Sequence, residues 1–354
     1  MLKFIFLVLA SIFMICGVKA QHRDSTIFYY QYDQNGSHEV GDLKSADYFR
    51  VVLSPDSVDN NYILKEFYKN GNSKLIGKFD PQSNPSIQAN LINFIGEVVS
   101  FYPNGKKQSV VNYTHGRKDG NEYLFYPNGL LYCYIKNHIE NDYLVKSLYW
   151  ECYDSNGTII CQKGNGKWVT YDKEFKIILV KGKIKNGLKE GEWHGRTGEA
   201  DSIKYLYIYH EDDIISATGY DKSGKSYPFK EVGEAANYKG GPITFIKIFK
   251  SHLTLPKDLN ERKISLDTVQ ISFIVEKDGL VTDFKTSGNV NPEIANAFKN
   301  AMDKCHDWLP SLYYGIPLRT RIFLPLTFIH GYSGNSRFSP YTEEVSFQEQ
   351  VLGF

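Results

Sequence analysis

The side chains able to do chemistry are scattered along the chain, and none belongs to a complete set. His210-Glu211 begins the H-E-x-x-H pattern by which one helix face holds zinc, but position 214 is isoleucine and the second histidine is lacking. Glu211-Asp212-Asp213 reads as a solvated acidic turn rather than a calcium loop. Gly164-Asn165-Gly166 has no third glycine and no following helix to receive a dinucleotide, so it reads as another tight turn. No G-x-S-x-G or Walker-type loop occurs. Among nine histidines, His22 and His38 lie in the leading segment, and His115 and His138 lie beside expected turns. Asn35-Gly36-Ser37, Asn112-Tyr113-Thr114 and Asn156-Gly157-Thr158 fit the glycosylation sequon, and two of them overlap turns that explain them without sugars. The residues argue against an enzyme, and no cofactor or metal is expected.

What elements could hold such residues is bounded by composition. At roughly 150 residues per domain, 354 residues suggest about two domains. A mean hydropathy of −0.37 with 23% charged residues excludes a polytopic membrane protein. A formal charge of +1 argues against a nucleic-acid partner, which calls for a basic surface. The chain holds 26 tyrosines, 22 phenylalanines and 29 glycines beside 3 methionines, a texture that suits pleated strands punctuated by turns.

The start is an address. Lys3 precedes an apolar run from Phe4 to Cys16, and Val18-Lys19-Ala20 precedes Gln21, the three-part pattern of a secretory signal peptide over residues 1–20. The rival is an uncleaved anchor, but Phe4 to Val18 would span about 22 Å as a helix, against roughly 30 Å for a bilayer core. Cleavage would remove two of the 41 basic residues and none of the 40 acidic ones, leaving a balance of −1. It would also leave Cys133, Cys152, Cys161 and Cys305, an even number that permits disulfides in an exported chain. Cys152 and Cys161 could bridge neighbouring strands, although buried filler is the simpler role for all four.

The middle of the chain repeats itself. Tyr68-Lys69-Asn70-Gly71, Tyr102-Pro103-Asn104-Gly105 and Tyr126-Pro127-Asn128-Gly129 share one form. Tyr32-to-Gly36 and Tyr153-to-Gly157 carry one extra residue, and Tyr220-to-Gly224 is a looser copy. Asn-Gly recurs at least six times where 24 asparagines and 29 glycines predict about two, so the excess needs a cause. The expected cause is a two-residue type I′ hairpin turn, with positive φ at both residues. Glu97–Tyr102 and Glu122–Tyr126 alternate around these turns as strands should. Gly116-Arg117-Lys118-Asp119-Gly120 and Gly187-Leu188-Lys189-Glu190-Gly191 are 71 residues apart, close to three steps of the 24 that separate Tyr102 from Tyr126. These residues resemble the MORN repeat family in a divergent bacterial form over about 63–227, which sets a repeat domain at 63–230 after a degenerate leading β segment at 21–62. The family name carries a membrane association; a scaffold or spacer is the plainer expectation, with membrane contact left open.

From Tyr238 the texture changes. Phe245, Ile248, Phe249 and Leu253 share one helical face and Pro256 follows. Val269, Ile271, Phe273 and Val275 alternate into an Asp278-Gly279 turn, and Leu280 to Thr286 returns. Ile294, Phe298, Met302 and Cys305 mark a second helix, and a last strand covers Thr320 to Ile329. Gly240-Gly241, that hairpin, Trp308-Leu309-Pro310, Gly315-Ile316-Pro317 and Leu324–Phe328 together resemble the TonB C-terminal domain over 238–330. The fold expected is thus β-rich and multidomain, a MORN-like hairpin sheet followed by a small α+β module ordered α-β-β-α-β, with a flexible tail at 331–354.

The resemblance implies a binding domain that grips an extended segment of an outer-membrane transporter by β-strand addition. The order of elements places that edge on the last strand, where Arg319, Thr320, Arg321 and Phe323 would flank the guest. The alternative for Arg319 and Arg321 is a solvated edge charge that blocks aggregation. The expected protein is an exported periplasmic or envelope interaction protein of a Gram-negative bacterium. Two alternatives stand beside it: a complete energy transducer with the repeats as spacer, and a structural or surface-sensing repeat protein whose last domain caps the sheet.

Overall fold

The Tyr-x-Asn-Gly segments are hairpin turns in the computed structural model, but of another type than their Asn-Gly pairs suggest. Gly71, Gly105 and Gly129 have φ of 80–89°, whereas Asn70, Asn104 and Asn128 stay at negative φ. The Gly105 N–H donates to the Tyr102 carbonyl at 2.8 Å and the Tyr102 N–H to the Lys106 carbonyl at 2.8 Å. This is a type I turn closed by a left-handed glycine, the three-residue hairpin loop, in place of the expected type I′ turn. Proline favours the choice at two of the three, since Pro103 and Pro127 fit the second position of a type I turn and have no N–H for the pair that would flank an Asn-Gly type I′ turn; Lys69 takes that position in the other. Type I′ geometry does occur at Asn186-Gly187, with φ of 54° and 85°.

The structure describes residues 24–351 except 35, 56–59, 81, 83–91, 142–143, 199–201, 256–267, 288–289, 331–335 and 339–347. The expected signal peptide at 1–20 lies outside the described residues. Strands predominate among the described residues, and two helices occur there. The chain divides into two compact units, 1–164 and 165–354. That division falls inside the hairpin array and not at the change of texture near Tyr238.

The first unit holds β1 (Ser25–Asp33), β2 (Gly36–Val40), β3 (Tyr48–Leu53), β4 (Tyr62–Tyr68), β5 (Ser73–Phe79), β6 (Phe94–Phe101), β7 (Lys107–Thr114), β8 (Arg117–Phe125), β9 (Leu131–Asn141), β10 (Leu144–Tyr153) and β11 (Ile159–Gln162). From β3 onward each strand pairs antiparallel with the next, and β1 lies between β2 and β3. The leading segment is therefore part of the same hairpin sheet. Val52, Leu64, Phe79, Phe94 and Val98 form a buried cluster, each side chain contributing about 1.5–3 kcal/mol by leaving water. Beside them Arg50 and Glu66, opposite in register, form a fully buried ion pair.

The second unit begins with β12 (Asn165–Tyr171), β13 (Ile178–Lys185), β14 (Leu188–Arg196), β15 (Lys204–His210), β16 (Asp213–Tyr220) and β17 (Ser226–Pro228), again paired in sequence. Two-residue strands β18 (Gly233–Glu234) and β19 (Asn237–Tyr238) lead into α1 (Gly241–His252), β20 (Thr268–Val275), β21 (Val281–Ser287) and α2 (Pro292–Met302). Next come β22 (Trp308–Leu309), β23 (Ser311–Tyr313), β24 (Ile316–Leu318), β25 (Thr320–His330), β26 (Ser336–Phe338) and β27 (Gln348–Val351). The order α-β-β-α-β is present, with the short β22–β24 inserted before the last long strand.

The two helices cover one face of the β21-β20-β25 sheet. Phe245 and Phe249 of α1, Ile294 and Phe298 of α2 and Ile271 and Ile322 of the sheet are buried in one cluster. α2 starts where the sequence tells it to: the Asn291 side chain accepts from the Glu293 N–H at 2.8 Å and Pro292 occupies the first turn. The β23–β24 turn seats this module on the last hairpins. Tyr314, at φ 51°, stacks on Tyr205 with centroids 4.6 Å apart and meets Phe229 edge-on at 5.3 Å.

A candidate peptide-binding edge

Strand β25 alternates in burial as a strand covered on one face must. Thr320, Ile322 and Leu324 are buried towards the helices, while Arg321, Phe323 and Pro325 face away. One border of β25 is paired with β20, from Val275 opposite Thr320 to Thr268 opposite Thr327. The other border is the one on which a guest strand was expected. It carries the chain's own tail: Val351, Gln350, Glu349 and Gln348 lie opposite Thr320, Arg321, Ile322 and Phe323, and β26 lies opposite Phe328 to His330. The expected open edge is thus filled, and the expected flexible tail contributes two short strands. The cause is the edge itself, whose unpaired N–H and C=O groups attract any extended segment within reach. Along Leu324 to Thr327 no second strand pairs among the described residues, and Pro325 there has no N–H to offer.

The four named side chains do not act as a group. Thr320 is fully buried, and its hydroxyl bonds that of Ser311 at 2.8 Å. Arg319 reaches back to Glu276, its Nε donating to the carboxylate at 3.0 and 3.1 Å. Arg321 pairs with Asp283. Asp283 sits at φ 46° beside a register shift in the β20–β21 pairing, and bulges of this kind re-aim a side chain. The Thr282 hydroxyl and then Arg319 hold the Glu276 carboxyl below its ordinary range. Lys285 and then Arg321 do the same for Asp283. Phe323, half-buried opposite Ser272 and Gln348, is the one apolar side chain of the four that stands beside the filled edge.

Glu276 and Asp283 were not among the expected site residues, and nor was the tail strand. The acids flank the Asp278-Gly279 turn, where an arginine-binding role has no pattern of its own. Gln348-Glu349-Gln350-Val351 is too short and polar to stand out from coil.

Other chemistry-bearing residues serve turns and packing. Asp212 accepts from the Lys189 N–H at 2.6 Å in a turn where Glu211 and Asp212 have φ of 51° and 72°, and His210 lies 3.4 Å from Glu190. Among the described residues no three of His, Cys, Asp or Glu are grouped to hold a metal ion, and no helix is long and apolar enough to cross a membrane. Among the described residues Cys133, Cys152, Cys161 and Cys305 are buried. Cys152 lies opposite both Cys133 and Cys161, and burial pushes the Cys161 thiol up to about 11.

No family model matches the chain, and a search of curated proteins returns no match. The two resemblances rest on the residues quoted for them.

Proposed function

We propose that this chain is an exported, non-enzymatic binding protein. Its C-terminal module captures an extended peptide by strand addition to β25, and the MORN-like hairpin array carries that module. The observation that supports this reading is the seating of Gln348–Val351 along Thr320–Phe323. A border that holds four residues in antiparallel register offers backbone groups at the spacing an extended guest needs. A guest taking that place must displace the tail, so the free edge costs nothing in aggregation while the partner is away. The TonB-like pattern suggests the partner class, a periplasmic segment of an outer-membrane transporter.

The test compares the full chain, a chain ending at Tyr341 and a Phe323→Asp variant, each shown folded by circular dichroism. Each is exposed to detergent-solubilised outer membranes, with competition by periplasmic N-terminal peptides of the transporters. Tighter capture by the shortened chain and loss in Phe323→Asp are expected. Folded protein that recovers no transporter would sink the reading.

The Tyr314 seat supports a second reading, in which the C-terminal module closes the end of the hairpin sheet and holds no guest. Under it, Tyr314→Ala would loosen the module, and capture would fail for all three chains.

A further inference from the structure

Strands β12 to β15 carry rings on one face and cations on the other. Trp168, Gly182, Trp193 and Tyr207 lie opposite one another in successive pairs, so their side chains share a face. Alternation then sends Lys167, Val169, Lys181, Lys183 and His194 to the opposite face. There the register sets Lys167 directly opposite Lys183, and Arg196 directly opposite Lys204. Like charges so placed repel each other, and a sheet gains nothing internal from the arrangement. Among the described residues no carboxylate forms an ion pair with Lys167, Lys181, Lys183 or Lys204. Two acids share that face and both meet histidines: Glu192, beside Lys181 and Lys183, is 3.1 Å from His194 Nε2, and Glu190 meets His210 and the Glu211 N–H.

The same face is hollowed. Two depressions, of about 510 and 430 Å³, share Lys181 and His194 and so continue into one trough across the strands. Its floor includes Val169, Leu179 and the Gly195 backbone, and its rims carry the unpaired lysines, with one carboxylate, Glu192, held against His194.

We propose that this trough binds an extended acidic polysaccharide of the polyuronate kind, with one carboxylate on each sugar ring. Cations on successive strands recur at about 4.8 Å, which suits a chain carrying a charge on every ring. The apolar floor suits the C–H faces of those rings. Other polyanions fit less well. An acidic peptide seeks unpaired strand edges, which a sheet face lacks. Polyphosphate has nothing to lay on the floor. A single-stranded nucleic acid needs stacking rings, and here the rings lie on the other side. A flat bilayer does not enter a trough. This site is independent of the β25 edge.

The test is calorimetric titration of the full chain with oligogalacturonate at low salt and at 0.5 M salt, beside its fully methyl-esterified form. A Lys167→Gln/Lys181→Gln/Lys183→Gln variant is run in parallel. All three lysines are exposed, so folding should survive, and circular dichroism checks that it does. Expected are binding that weakens with salt, no binding of the ester, and at least about tenfold weaker binding by the variant, the sum of three screened ion pairs. Equal binding of the ester, or an unchanged affinity in the variant, would overturn the proposal. So would sedimentation with phosphatidylglycerol vesicles through these lysines while oligogalacturonate fails to bind.

Discussion

The Tyr102 hydroxyl donates to the Phe125 carbonyl at 2.6 Å, one hairpin further along the sheet. The bond is one of a series. Tyr68 reaches Phe101 at 2.8 Å and Tyr126 reaches Tyr153 at 2.9 Å. The turn asparagines repeat the step, with Asn70, Asn104 and Asn128 donating to Pro103, Pro127 and Ser155 at 2.9–3.1 Å. Each Asn Oδ1 also accepts from the N–H two residues on, at 2.9–3.0 Å, which fixes its own turn. The tyrosine and asparagine of the motif therefore join one unit to the next, and the glycine closes the turn. This accounts for the recurrence without any ligand.

Tyr102→Phe should cost about 1 kcal/mol, because the ring keeps its packing while the Phe125 carbonyl loses a donor. Asn104→Ala should cost more, since it removes the turn's internal bond and the bond to Pro127 together. Urea midpoints of the two variants decide the matter. Equal midpoints for Asn104→Ala and wild type would show that the series is incidental.

Much of this was legible in residues with one strong local demand. Gly105 and Gly129 marked turns, and Phe245, Phe249, Ile294 and Phe298 marked the covered faces of two helices. The turn type was misread because Asn-Gly alone favours type I′, while Pro103 and Pro127 suit the second position of a type I turn, which only the four-residue context reveals. The β25 edge was located, but its occupancy was not, since four polar residues carry no periodic signal. Arg319 and Arg321 looked free because their partners lie 43 and 38 positions away, a separation that register settles and composition does not.

Alkaline pH should loosen the sheet before the backbone is otherwise affected. Burial pushes the phenols of Tyr30, Tyr102 and Tyr205 up to about 12 from an ordinary 10. Each folded-state value is raised, so the stabilisation is complete below pH 10. It is lost as pH climbs from 10 towards 12, where the unfolded chain ionises first. Tyrosinate absorbance at 295 nm should lag behind that of free tyrosine and then rise together with the loss of strand circular dichroism. Full ionisation near pH 10 with the sheet intact would contradict the burial argument.

Removing one half of the buried pair in the first unit should be severe. Arg50 Nη2 lies 2.6 Å from Glu66, its Nη1 donates to the Tyr30 hydroxyl at 3.3 Å, and both charged side chains are fully buried. Arg50→Met leaves Glu66 with Lys74 as its remaining cation, at a cost of about 3–5 kcal/mol. Arg50→Met/Glu66→Leu should recover most of that loss, because the fully buried carboxylate goes with the arginine and the partly exposed Lys74 can turn its ammonium to water. Denaturation of both variants tests this, and a double variant as weak as the single would point to packing in place of charge.

The seat of the C-terminal module depends on a glycine. A Cβ at Gly219 would stand 2.1 Å from the Tyr314 carbonyl oxygen, a backbone atom that cannot rotate away. Gly219→Ala must therefore lift the Tyr314 turn from its stack on Tyr205, at a cost of about 1–3 kcal/mol. Hydrogen exchange should show lost protection in β23 and β24, while β12 and β13, two or more strands from Tyr205, keep theirs. If the variant also captured extended peptides as well as wild type does, binding at β25 would not require the seat, and the module would work as a tethered gripping domain. If capture fell with the seat, the hairpin array would be a functional part of the gripping surface and more than a carrier.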